Sequence, residues 1–168
     1  MQFRSASIQD LPSIVAIYNS TIAGRMVTAD TEAVSVESKV EWFHQHNAHT
    51  RPLWVVEENH NIIGWVSFKD FYGRPAYRAC AEISIYLAAE ARGRQLGKQI
   101  LQYSIAQCST LGIDTLLAFI FSHNQPSIRL FTQMGFVLWG HLPRVARMDN
   151  QLYHLDIYGL KIPHHAST

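Results

Sequence analysis

The spacing of hydrophobic and polar positions changes period several times along the chain, and each change marks an element. Phe3-Arg4-Ser5-Ala6 alternates and predicts a short edge strand. Leu11, Ile14, Ile17, Tyr18 and Ile22 then recur at three- and four-residue steps, the spacing of one buried helix face. Asp10 stands where a helix cap belongs, and Pro12 falls in the first turn. A loop over residues 28–35 leads to a second helix predicted over 36–46. Leu53-Trp54-Val55-Val56-Glu57 reads as a strand, Glu58-Asn59-His60-Asn61 as a polar turn, and 62–69 as the returning strand of an antiparallel hairpin.

The second half has a different rhythm. Residues 81–87 alternate as a strand, and the unbroken apolar run from Leu116 to Phe121 reads as a strand covered on both faces. Between them Leu96, Ile100, Leu101, Ile105, Cys108 and Leu111 keep helical spacing up to Gly112, a natural stop. Strand, long helix, strand predicts a βαβ crossover with parallel strands. A short helix over 127–134 closed by Gly135, and strands over 136–139 and 152–160, complete the pattern. The fold class is mixed α/β (α+β), as a single domain over residues 1–168, and residues 163–168 are expected to fray.

Composition narrows the class of partner. With 48% hydrophobic and 16% charged residues the chain can build a full core, and a formal net charge of +1 lacks the basic footprint of a nucleic-acid or membrane-surface binder. No run of about 20 apolar residues predicts a membrane span, and the first residues lack a signal-peptide core, so a cytoplasmic location is expected. Cys80 and Cys108 lack metal-site or redox spacing and read as free thiols. His44, His46 and His49 do not share a helix face and no carboxylate or cysteine completes a tetrahedron, so no metal is expected. Trp42, Phe43, Trp54, Trp65 and Phe68 read as core rather than a base-stacking platform. Ten of the fourteen cationic residues are Arg, the planar fork suited to carboxylate and phosphate.

Candidate chemistry concentrates at the junction before the long helix, Arg92-Gly93-Arg94-Gln95-Leu96-Gly97-Lys98. Glycines in a turn that opens directly into a helix let backbone N–H groups converge at the positive end of the helix dipole, which suits a pyrophosphate. The glycine spacing fits neither a dinucleotide-binding GxGxxG nor a P-loop.

This stretch resembles the pyrophosphate loop [Q/R]-x-x-G-x-[G/A] of the GCN5-related N-acetyltransferase (GNAT) superfamily, with Gln95 in place of the first glycine. Gln is expected to fit there with an ordinary negative φ. Asn124-Gln125-Pro126-Ser127-Ile128-Arg129-Leu130-Phe131-Thr132-Gln133-Met134-Gly135-Phe136 resembles a second superfamily element, N-x-x-S-x-x-L-[YFH]-x-x-x-G-F. Within the superfamily the chain is most similar to phosphinothricin and methionine sulfoximine acetyltransferases, through Ile17-Tyr18-Asn19, Ala81-Glu82, residues 122–127 and Tyr153-His154.

The resemblance implies an acetyl-CoA-dependent enzyme that acetylates the primary amine of a small amino-acid-like substrate, and a homodimer with sites near the subunit interface. It further implies that Ile85, Tyr86 and Leu87 offer backbone groups to pantetheine, that Arg92, Gly93, Arg94, Gln95, Leu96, Gly97 and Lys98 hold pyrophosphate, and that Asn124 and Ser127 lie at the thioester end. Glu82 is the expected base, because an α-amino group is nucleophilic only after losing a proton near pH 7.7–8.0. Arg74 or Arg78, with Tyr77 between them, is the expected partner of a substrate carboxylate, and His154 is placed near the pocket. Phe131 stands where many superfamily members carry an acidic Tyr, leaving Tyr86, Tyr158 or water to protonate the thiolate, with water preferred. The rival functions are acetylation of a protein N-terminus or polyamine, and a non-catalytic acyl-CoA-binding regulator, which Phe131 and Gln95 favour.

Overall fold

The computed structural model describes residues 1–163, so the expected fraying at 164–168 lies outside the described residues. Seven strands form one sheet in the order β1-β2-β3-β4-β5-β7-β6: β1 Gln2–Ser5, β2 Leu53–Glu58, β3 Asn61–Asp70, β4 Cys80–Leu87, β5 Thr115–Phe121, β6 Val137–Met148 and β7 Gln151–Lys161. Four α-helices pack on it, α1 Leu11–Ser20, α2 Val40–His44, α3 Leu96–Gln107 and α4 Gln125–Gln133. Among the described residues only β4 and β5 run parallel, joined through α3, as the crossover pattern predicts. The mixed α/β class expected from the sequence is the observed one.

The core lies between the sheet and its helices. Val55, Val56, Val66, Phe68, Ala81, Ile100, Leu101 and Leu116 are fully buried. Trp54, Trp65 and Phe68 belong to it, and Trp42 and Phe43 pack against it from α2. Cys80 and Cys108 are free thiols, and burial pushes the Cys108 thiol up to about 12, which makes it unreactive.

Several expected boundaries shift. The Asp10 side chain accepts no capping bond from the first turn of α1. Its carboxylate accepts from the Ser7 backbone N–H at 2.7 Å and takes two bonds from Arg4, which hold it at about 2. The helix expected over 36–46 is a 3-10 turn, Glu37–Lys39, followed by five residues of α2, with Asn47 and Arg51 closing a bridge. The strand expected to end at 139 runs on to Met148 and turns through Asp149 and Asn150, both at positive φ, into β7. Two such residues in succession suit the tight turn of a twisted hairpin. Polar positions at 141 and 144 hid this strand from a periodicity argument, because as an edge strand it faces solvent along most of its length.

Gln95 also departs from expectation. Its backbone adopts φ 60°, ψ 16°, the left-handed region, rather than a negative φ. A glycine adopts this conformation freely, so here the Gln side chain bears the steric penalty. Gln95→Gly is expected to raise unfolding stability by about 0.5–1 kcal/mol in urea titration. A loss of stability would show that the Gln side chain compensates for the strain.

Candidate active site

The ladder between β4 and β5 spans only Cys80↔Thr115, Ala81↔Leu116 and Glu82↔Leu117. Beyond it β4 stays paired with β3 and β5 with β7, so residues 83–87 and 118–121 diverge. Ile83, Ser84, Ile85 and Tyr86 line one side of the resulting crevice and Ala118, Phe119, Ile120 and Phe121 the other, with Asn124, Ser127 and Phe131 at its end. Strand edges left without a strand partner offer backbone donors and acceptors to an extended, amide-bearing ligand.

Asn124 caps α4, its side-chain oxygen accepting from the Ser127 N–H at 3.2 Å. Its amide nitrogen donates to the Met26 carbonyl at 3.0 Å. His123 Nε2 bonds the Arg25 carbonyl at 2.8 Å, and Arg25 pairs with Asp149 at 2.9 Å. These bonds tie the loop after α1 to α4 and to the β6–β7 turn.

Adjoining the crevice is a cavity of about 660 Å³. Val27, Ser84, Tyr86, Phe119 and Phe121 line both spaces. Its floor comes from antiparallel register. Trp65↔Tyr86, Ser67↔Ser84 and Lys69↔Glu82 are directly opposite on β3 and β4, so all six side chains share one face. The Trp65 and Tyr86 rings stack with centroids 4.4 Å apart. Lys69 Nζ lies 3.4 Å from Glu82 Oε2. Burial raises the Glu82 pKa above the ordinary carboxylate range, against the opposing pull of Lys69. Burial also pushes the Tyr86 phenol up to about 12. Above the floor, Tyr18 of α1 hydrogen-bonds Thr28 and Asp30, and Lys39 lies over the Tyr18 ring at 5.3 Å.

At the far end of the crevice the loop before α3 presents Gly93 at φ 73° and Gln95 at φ 60°, followed by the free N-terminus of a twelve-residue helix. Gly97 faces α4, where an added Cβ would meet Leu130 Cδ2 at 3.2 Å. Arg92 bonds the Leu87 carbonyl at 3.1 Å, and one Arg94 nitrogen reaches both Glu58 oxygens at 2.9 Å. Gly93, Arg94, Gln95 and Lys98 are solvent-exposed.

The remaining sequence-predicted residues fall elsewhere. Arg74, Tyr77 and Arg78 sit exposed in the β3–β4 connection and outside the cavity walls. His154 faces away as well, stacking on His141 at 5.0 Å and accepting from the Arg144 N–H at 3.2 Å. Tyr158 is buried on β7 and lines neither space. The cationic groups that do line the cavity are Lys39, Lys69 and Arg147. Sequence reasoning missed them because they come from a 3-10 turn, a strand end and an edge strand. Among the described residues, neither Lys39 nor Arg147 has a carboxylate partner.

Residues 13–136 match the sequence model of the Acetyltransferase (GNAT) family. The chain belongs to that family and is an N-acetyltransferase. Over 163 residues it is 50% identical to the Bacillus subtilis protein named "Putative phosphinothricin acetyltransferase YwnH", covering 96% of this chain and 99% of that one. It is 30% identical to the L-methionine sulfoximine/L-methionine sulfone acetyltransferase of Pseudomonas aeruginosa, over 86% of this chain and 84% of the relative. Its fold superposes on a GNAT phosphinothricin acetyltransferase from Sinorhizobium meliloti, solved in complex with AcCoA, with a TM-score of 0.89 at 27% identity, covering 99% of this chain and 91% of that one.

Proposed function

We propose that this chain transfers acetyl from acetyl-CoA to the primary amine of a small anionic amino acid of the phosphinothricin or methionine sulfoximine type, with Glu82 as the base. The observation that carries the reading is the junction of the two spaces. A half-buried carboxylate stands in the floor of a cavity that shares five lining residues with a crevice between unpaired strand edges.

Acetyl-CoA fits this chain on three counts: the strand edges suit pantetheine amides, the Gly93–Gln95 turn opens N–H groups at a helix start, and the crevice meets the cavity at Tyr86. When bound it supplies a thioester carbonyl carbon and a thiolate leaving group. Ile85, Tyr86 and Leu87 hold the pantetheine arm, residues 92–98 the pyrophosphate, and Asn124 and Ser127 the end of the crevice. Glu82 removes the proton that makes an ammonium non-nucleophilic, and its raised pKa brings it closer to neutral pH, where a general base is most effective. Backbone N–H groups on the free edge of β4 near Leu87 stabilise the developing oxyanion. Phe131 is buried against Phe136 and carries no acidic proton, so water or Tyr86 protonates the thiolate.

The substrate carboxylate is assigned here to Lys39 or Arg147, in place of Arg74 or Arg78, since these cations line the cavity. Steady-state CoA-thiol release with phosphinothricin, methionine sulfoximine, spermidine and a peptide N-terminus tests the assignment. Turnover of the two amino acids is expected, with KM for them rising about tenfold in Arg147→Gln or Lys39→Gln, the loss of one charge-assisted bond. Preference for spermidine would overturn it.

We also infer a homodimer, a reading supported by the outer edge of the sheet. Val137, Leu138, Trp139, Leu142 and Val145 on β6 expose 39–59% of their surface in one run. A long apolar edge strand of this kind is a template for association. Val145 also lines the cavity, which puts the site beside that edge. Sedimentation is expected to give a dimer for the parent chain and a monomer for Leu138→Lys; a monomeric parent would refute this.

A further inference from the structure

His46 lies in the histidine-rich stretch for which no metal was expected, and its surroundings assign it another task. His44 and His49 are exposed, whereas His46 is half-buried beneath β3. Its Nδ1 is 2.9 Å from the Trp42 carbonyl oxygen and 3.3 Å from that of Phe43. Carbonyl oxygens only accept, so Nδ1 carries the proton and Nε2 of the neutral ring is a bare acceptor. Nε2 lies 2.8 Å from Ser67 Oγ. Burial lowers the His46 pKa against the opposing pull of the Trp42 and Phe43 carbonyl bonds, with the nearby Lys69 charge acting on the side of burial, which favours the neutral ring. The single hydroxyl proton of Ser67 is therefore directed at His46, and the rotor that is free in most serines is locked.

The consequence lies on the other side of the oxygen. Ser67 is a floor residue of the cavity, two positions from Lys69 on the same face of β3 and opposite Ser84. With its proton committed, Ser67 offers the cavity only lone pairs.

We propose that Ser67 is a fixed hydrogen-bond acceptor for the substrate amine, and that His46 is the positioning residue that fixes it. This rests on the reading of the cavity as the amine site. A primary ammonium has three N–H bonds. One proton passes to Glu82, one remaining N–H donates to Ser67 Oγ, and the nitrogen lone pair released by deprotonation is held in one direction. No covalent bond to Ser67 forms. The arrangement also selects the nucleophile. An alcohol or thiol has one proton, and once Glu82 takes it none is left for Ser67, whose lone pairs would then face the lone pairs of the nucleophile.

The test uses the full-length enzyme, with Ser67→Ala, Ser67→Thr, His46→Phe and the double variant Ser67→Ala/His46→Phe. Ser67→Ala is expected to lower kcat/KM for the amine about tenfold, the rate equivalent of one hydrogen bond, while KM for acetyl-CoA stays unchanged. Ser67→Thr retains most of the activity. His46→Phe lowers kcat/KM on its own but causes no further loss in the Ser67→Ala background, because it acts only through that hydroxyl. A readout independent of turnover is the ¹⁵N spectrum of His46, expected to show a neutral ring protonated at Nδ1, with the Nε2 signal shifting in Ser67→Ala. Independent losses in the two single variants, unchanged kcat/KM in Ser67→Ala, or an Nε2-protonated ring would each overturn the proposal while leaving the amine-acetyltransferase reading intact. Release of no CoA by the parent enzyme with any primary amine would overturn both.

Discussion

Replacing Glu82 by Gln is expected to lower kcat by at least about a hundredfold, the range that removal of a general base produces, with acetyl-CoA affinity unchanged. The difference should be largest at low pH, where the substrate is most fully protonated and needs a base most. The same substitution should not destabilise the fold. Burial holds the Glu82 pKa above its unfolded value, so its ionisation opposes folding, and the stability favouring its protonated form is lost as pH rises through the raised pKa. Gln removes that penalty. It leaves Lys69 without its partner, but that side chain is 55% exposed and water replaces the contact at little cost. Chemical denaturation at pH 7 is expected to give Glu82→Gln a stability equal to or above the parent. Retained turnover would remove Glu82 from the chemistry, and a large stability loss would mark it as a structural ion pair.

Replacing Gly97 by Leu is expected to weaken acetyl-CoA binding by about tenfold or more in calorimetry, while Gly97→Ala stays within about threefold. The first turn of α3 packs against α4, and a Cβ at residue 97 meets only the flexible end of Leu130 at 3.2 Å and Leu87 Cδ1 at 4.0 Å. A single methyl can be accommodated by a shift of the Leu130 side chain. A larger side chain has to tip the N-terminus of α3 away from α4, misdirecting the N–H groups that would face a pyrophosphate, each worth about 1.5–3 kcal/mol as a bond to a charged group. An unchanged dissociation constant for Gly97→Leu would mean that the pyrophosphate lies elsewhere.

The elements best read from the sequence were those whose burial is periodic. α3 and β5 are buried on faces that their apolar spacing already displays, and the crossover between them follows from chirality alone. β6 was legible only at its start, because an edge strand facing solvent carries no alternation to detect. α2 was read too long, since Trp42, Phe43 and His46 are drawn inward by β3 and not by a continuous helix face. At Gln95 the residue type argued for a negative φ, yet the turn into α3 imposes a positive one. Geometry set by the flanking strand and helix overrode local preference there.

The chain's own residues determined the βαβ unit, the glycine-bearing turn at a helix start, the Asn-led helix beyond β5 and, through them, the family. They could not determine which cations share a cavity with Glu82. Arg74 and Arg78 are adjacent in sequence to β4 but exposed, whereas Lys39, Lys69 and Arg147 come from segments up to 108 positions apart and meet in one cavity. Nor could the sequence orient the Ser67 hydroxyl, which depends on a histidine 21 positions away whose tautomer is set by two backbone carbonyls. Proximity of this kind is a product of sheet register and loop placement. Periodicity reports which face of an element is buried, and only tertiary packing decides what it is buried against.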